Sequence, residues 1–210
     1  MEQSIGVFGQ DVLLWVCLLR QAAQRPQPQA VHQHANYLLD ELARSAEAKA
    51  VPVQSAEDGM FALAALIDEV AMGMPDLRPT WSQYSLQATR FNTTNAGVEM
   101  FERLQRVRQG PPSVVATYFA ALGVGFQGCY GLPGADRYAL GQLRRDLAIQ
   151  LGVDPDRDWS GGAIRTIRKE EVENLDLFKV PWHKSVWFGR VVAALVLLSA
   201  IATGLWYFLS

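Results

Sequence analysis

The chain has 210 residues, half of them hydrophobic, with 19 Lys+Arg against 21 Asp+Glu and a formal net charge of -2. That near balance excludes the broad basic surface that phosphate recognition needs, so no nucleic-acid partner is expected. Two cysteines, Cys17 and Cys129, lie in different apolar contexts and read as free thiols instead of a disulfide.

Val7 to Ala23 places Val12, Trp15, Val16, Leu19 and Ala23 at helical spacing, which predicts a core helix. The acidic residues Glu2 and Asp11 before its apolar run, and the lack of a small-residue cleavage site, argue against a signal peptide. The proline-containing stretch Gln24 to Gln29 ends that helix, and Ala30 to Ala50 predicts a second, amphipathic one. His32 and His34 lie two residues apart and point to different sides of a helix, with no further ligand nearby; they read as surface histidines, and no metal site is expected.

Pro52 and the cluster Ser55 to Gly59 predict a turn. Met60 to Met74 then reads as a helix apolar almost all round, central to its bundle. Pro75 and Pro79 predict a loop, followed by one helix from an N-cap at Thr80 to Phe91. Asn95 to Val107 is amphipathic, with Val98, Phe101 and Leu104 on one face and Glu99, Arg103 and Arg106 elsewhere. Pro111-Pro112 ends it, and Ser113 is the expected cap of a helix from Val114 to Leu122. The glycines of LGVGFQGCYGLPGA predict a close turn, and Arg137 to Leu151 returns to helical spacing. No long stretch alternates with period two, so the fold class is all-α, with about seven helices.

Residues 154–185, rich in charge and glycine, read as a linker and juxtamembrane segment after a cytoplasmic helical domain over 1–153. Val191 to Leu209 then offers nineteen residues without a charge. At 1.5 Å rise per residue this is roughly 28 Å of helix, enough to cross a bilayer, and the transmembrane helix is placed over 186–209. Arg190, Lys184 and His183 precede it and no Lys or Arg follows, which puts the N-terminal domain in the cytoplasm. Trp187 on one side and Trp206 on the other fit interfacial aromatic belts. Val191, Leu195, Gly204 and Leu209 mark the anchor, after which only Ser210 remains, the pattern of a tail-anchored protein.

One feature breaks the logic of the core. Asp68 and Glu69 sit inside the most apolar helix, where an unpaired ionised carboxylate would cost several kcal/mol. Three readings stay open: a charged cleft for a partner protein, a structural role in accepting loop amides or pairing with an arginine such as Arg78, and acid/base catalysis. Adjacent helical residues diverge by about 100°, which argues against both serving one small substrate. Gly123, Gly125 and Gly128 match GxGxxG, but no strand precedes them, and no other catalytic motif occurs.

Four pieces in order carry a resemblance: AALIDEV at Ala64 to Val70; Trp81 with Ser85-Leu86-Gln87; Phe91-Asn92-Thr93 with Gly97, Glu99 and Phe101 to Leu104; and YFAALGVGFQGCY at Tyr118 to Tyr130. With a terminal span behind them, these resemble the DotU/TssL family, the inner-membrane component of type VI secretion systems related to DotU of type IVB systems. Cys129 and the run Met72 to Pro75 depart from the family's pattern. The resemblance implies a hook-like cytoplasmic domain of two helical bundles, one spanning helix, no enzymatic activity and no cofactor. It implies a homo-oligomer that assembles with an IcmF/TssM-type membrane protein, reaches a TssJ-type lipoprotein through the complex, and docks baseplate proteins. It also implies a cleft that includes Asp68 and Glu69, near Gln127. The rivals are a type IVB DotU and, from another class, a membrane-anchored hydrolase using Asp68, Glu69 and the Gly123 to Gly128 turn.

Overall fold

The computed structural model describes residues 7–22 and 27–155. Among these the chain forms eight α-helices and one 3-10 turn, with no strand: α1 Gln10–Gln21, α2 Pro28–Ala48, α3 Val53–Gly73, α4 Arg78–Trp81, α5 Leu86–Phe91, α6 Ala96–Val107, α7 Pro112–Val124, the 3-10 turn Gly128–Gly131, and α8 Arg137–Gln150. No helix among the described residues is long and apolar enough to cross a membrane. The expected linker beyond residue 155 and the expected span at 186–209 lie outside the described residues.

Helix α3 is the hub. It packs against α1, α2, α4, α5, α6 and α7, while α8 joins through α7 and the 3-10 turn. The composition dictates this: Phe61 to Ile67 is an unbroken run in which every residue is buried, so each side of the helix needs a neighbour. α1 contributes Val12, Trp15, Val16 and Leu19, α2 Val31, Ala35 and Leu39, α6 Met100 and Leu104, and α7 Val114, Tyr118 and Leu122.

α3 starts earlier than its sequence predicts, because Ser55 to Gly59 is helical and not a turn. The ring of Phe8 occupies the space beside Gly59, where an added Cβ would lie 2.5 Å from Phe8 Cδ1. Tertiary packing thus outweighs the low helix propensity of glycine. Phe8 is held in turn by its own amide, which donates to the Ser113 carbonyl at 3.3 Å, and by the buried Thr117 hydroxyl, 2.6 Å from the Phe8 carbonyl. The Ser113 cap is not formed: Pro111 stands at the N-cap of α7, with no side-chain cap.

The expected helix from Thr80 to Phe91 is two short helices, broken over residues 82–85. Its break is set from outside. The backbone carbonyl of Tyr84 lies 2.7 Å from His32 Nε2, and the first amides of α5 point at a carboxylate of α3.

Of the two histidines expected at the surface, His34 is buried and His32 is half-buried. His32 packs edge-on against Trp81, with ring centroids 5.2 Å apart, and His34 is buried between Trp15 and Tyr37. Burial lowers the pKa of His34. Both cysteines are free and half-buried, and burial pushes the Cys17 thiol up. No cluster of metal-ligating side chains occurs among the described residues.

Candidate docking site at the acidic doublet

The two carboxylates at the end of α3 have different tasks. Asp68 is 2% exposed and accepts three hydrogen bonds, from Trp81 Nε1 at 2.7 Å, Leu86 N at 2.9 Å and Gln87 N at 2.8 Å. The last two are orphan amides of the first turn of α5, where a negative charge is favoured. Ser85, the residue at the N-cap, makes no side-chain cap; Asp68 does so from another helix. Burial pushes the Asp68 carboxyl above the usual carboxylate range, opposed by the bonds from Gln87, Leu86 and Trp81. Arg78 is not its partner, since Arg78 Nε donates to the Met72 carbonyl at 2.8 Å near the end of α3.

Glu69, one residue on, faces the other way. Its two oxygens accept the amides of Gln127 at 2.9 Å and Gly128 at 2.7 Å. These amides belong to the glycine-rich turn, so the GxGxxG match is not a phosphate cradle: Gly123 is inside α7, Gly125 ends it at φ 115°, and the amides of residues 127 and 128 already hold the protein's own carboxylate. With Asp68 and Glu69 each occupied by backbone amides on separate segments, the paired acid/base arrangement of the hydrolase reading is not present.

The motif pieces scattered along the sequence close into one circuit. Asp68 holds the start of α5; from there the side chain of Gln87 accepts the amide of Ala96 at 2.9 Å and so caps α6. Next to Ala96, Gly97 lies against Gly128, so closely that a Cβ on Gly128 would stand 2.3 Å from the Gly97 carbonyl. Gly128 also has φ 53°, a conformation that L side chains rarely adopt. Its amide returns to Glu69, beside the starting point. Phe101 braces the turn, edge-on to Tyr130 at 4.8 Å and against Phe126 at 5.9 Å.

Beside this circuit lies a cavity of about 410 Å³, lined by Arg20, Glu69, Val70, Gly73, Met74, Pro75 and Gly125. Arg20 fixes its wall by donating to the carbonyl of Val124 at the end of α7. Of the three residues expected at a cleft, only Glu69 lines this cavity. Asp68 is enclosed behind it, and Gln127 is exposed on the adjoining turn but is not a lining residue. Arg20 was missed in the sequence, where it is only the basic residue in the last turn of a core helix.

A second charged cluster also escaped the sequence. Asp58, 2% exposed on α3, accepts from Arg106 Nη2 at 2.6 Å and Arg103 Nη1 at 3.3 Å. Arg103 further binds Glu99 at 2.6 Å and stacks 3.9 Å above the ring of Phe61. The Glu99 to Arg103 spacing of four was the available signal.

The family described as "Type VI secretion system protein DotU" matches residues 7–208. The chain belongs to the DotU family of type VI secretion system proteins. Two solved structures agree in fold with this DotU-family chain. One is "Cytoplasmic domain of TssL from Acinetobacter baumannii", with a TM-score of 0.63 and 24% identity, covering 68% of this chain and 93% of that one. The other is "Crystal structure of T6SS SciP/TssL from Escherichia Coli Enteroaggregative 042", with a TM-score of 0.56 and 27% identity, covering 68% and 84%. No curated protein matches the chain in a sequence comparison. The family match carries the type VI description and not the type IVB one. The circuit from Asp68 to Gly128 is built from the residues that carried the resemblance in the sequence.

Proposed function

We propose that this chain is a non-enzymatic docking subunit of the type VI secretion membrane complex. On this reading it is held in the bacterial inner membrane by a helix over 186–209 with its helical domain in the cytoplasm. That domain is the two-bundle hook implied by the resemblance. It links an IcmF/TssM-type membrane protein to baseplate proteins, with a TssJ-type lipoprotein reached through the complex. Self-association is part of the reading, and the small residues Ala193, Ala194, Ser199, Ala200 and Gly204 of the apolar run suit close approach of spanning helices.

The observation that carries the docking role is the separation of framework from surface at the acidic doublet. Asp68 and the amide bonds of Glu69 fix α5, α6 and the turn at residues 125–131. The cavity beside them, with Arg20 and Glu69 in its wall, is left open as a charged recess of defined shape. Such a recess suits a partner side chain or loop better than a reaction, because no nucleophile and no unoccupied carboxylate pair faces it.

Gly73 gives the test. It lines the cavity, is exposed at the end of α3, and an added Cβ there meets no atom within 4 Å. Gly73→Phe therefore starts a bulky side chain in the lining of the recess at a position with room for its Cβ. Capture of baseplate or IcmF/TssM-type proteins should drop at least about tenfold, the factor for about 1.4 kcal/mol of lost contact, with unchanged helical content. Undiminished capture of all of them would place the docking surface elsewhere.

A further inference from the structure

The recess beside the acidic doublet has a hydrogen-bonding character that its shape alone does not reveal. Its lining is short of donors. The backbone N–H groups of Arg20, Glu69, Val70 and Gly73 lie beyond the first turns of α1 and α3 and are bonded within those helices. That of Met74 donates to the Ala71 carbonyl at 3.1 Å and that of Gly125 to the Leu122 carbonyl at 3.2 Å, while Pro75 has none. The donor that remains is the Arg20 guanidinium, and it already caps the end of α7 through the Val124 carbonyl. Arg78 does the same for α3 from outside the lining, through the Met72 carbonyl.

Acceptors, by contrast, are in surplus. Glu69 is the one carboxylate in the lining and is half-buried, and among the described residues no basic side chain pairs with it. A carboxylate offers about four lone-pair sites, and the amides of Gln127 and Gly128 take one on each oxygen. The carbonyl of Gly73, the last of α3, accepts from no amide among the described residues, because the amide of Leu77 four positions on donates to Met74 instead. The ends of α3 and α7 also bring the partial negative charge of helix C-termini. An anion here would stand beside Glu69 and two such ends, with no backbone amide to receive it. A lysine ammonium or an arginine guanidinium supplies several donors at once, and the charge that Glu69 lacks opposite it. We infer that the recess receives a basic side chain, lysine or arginine, of the docking partner, seated on the open lone pairs of Glu69. This rests on the docking reading of the recess and adds the chemistry of what enters it.

The test plants charge at Gly73, which lines the recess and where an added Cβ meets no atom within 4 Å. Gly73→Lys, Gly73→Gln and Gly73→Glu introduce side chains of similar reach. The lysine competes for Glu69 and repels an incoming cation, whereas the glutamate adds a second carboxylate. Binding to the full-length variants is titrated for those IcmF/TssM-type or baseplate proteins whose capture falls in Gly73→Phe, with helical content checked for each variant. Gly73→Lys should bind at least about fivefold more weakly than Gly73→Gln, the factor for two unit charges about 4 Å apart in water. Gly73→Glu should bind at least as tightly as Gly73→Gln, and the spread should narrow in high salt. Binding by Gly73→Lys as tight as that by Gly73→Glu, or tighter, overturns the inference in favour of an acidic occupant. Equal weakening in all three overturns it in favour of an uncharged one, and in both cases the docking reading stands. Capture that is undiminished even in Gly73→Phe removes the docking reading and this inference with it.

Discussion

Replacing Asp68 by alanine deletes the acceptor of three donors at once. The Trp81 indole and the Leu86 amide are fully enclosed, so water cannot replace the carboxylate there. Each buried donor left without a partner costs about 1–3 kcal/mol. The amide of Gln87 is only half-buried and loses about 0.5–2 kcal/mol as an uncapped helix terminus. The total is roughly 3–8 kcal/mol, set against a domain stability of about 5–15 kcal/mol. Asp68→Asn keeps the shape and one acceptor oxygen, so Trp81 and Leu86 remain bonded while an NH2 group confronts the Gln87 amide. Its expected cost is about 1–3 kcal/mol. Urea unfolding of a fragment of residues 1–155, followed by circular dichroism at 222 nm, should order the stabilities as wild type, Asp68→Asn, Asp68→Ala. If Asp68→Ala loses less than about 1 kcal/mol and yet abolishes partner capture, Asp68 is a recognition residue and the framework argument is wrong.

Further perturbations follow from the same geometry. Gly128→Ala drives a methyl into the Gly97 carbonyl at a left-handed backbone, whereas Gly134→Ala meets open space at a similar φ of 82°; urea unfolding should show the first costing at least about 1 kcal/mol more than the second, and equal losses would deny the close contact. Arg103→Ala should destabilise by about 2–4 kcal/mol through loss of its bonds to Asp58 and Glu99 and its stack on Phe61. Arg106→Ala should cost less, because its side chain is 55% exposed and Asp58 retains Arg103; the reverse order in the same assay would refute this ranking. For His34, burial lowers the folded pKa, so the unfolded chain binds a proton first as the pH falls. Its contribution is fully present above the ordinary histidine value of about 6.5 and is lost as the pH falls through the lowered folded value. The urea midpoint should therefore decline less steeply below about pH 6.5 in His34→Gln than in wild type, and identical slopes would contradict the burial argument.

Periodicity located α1, α2, α6 and α8 to within a few residues, because each has one buried face whose apolar spacing is local information. The all-round apolar run at Met60 to Met74 rightly marked the central helix, though not its start at Val53. Gly59 reads as a breaker until Phe8 is known to pack on it. The break over residues 82–85 was hidden for a similar reason: it exists because Asp68, more than ten residues earlier, takes the amides of Leu86 and Gln87. Neighbouring acids in a buried helix signalled a special site, but periodicity could not say that one is enclosed and the other forms a cavity wall. His34 was misread because its burial comes from Trp15 on a different helix. The family resemblance named the residues of the circuit without revealing that they touch one another.

The proposed role makes the chain an anchored, partner-binding subunit. Affinity capture of the full chain from detergent-solubilised membranes, beside a version lacking residues 186–210, addresses that directly. The full chain should be recovered in the membrane fraction together with an IcmF/TssM-type protein, and the truncated chain should be released into the soluble fraction. A full chain found in the soluble fraction, or one that elutes from the membrane with no such partner, would contradict it.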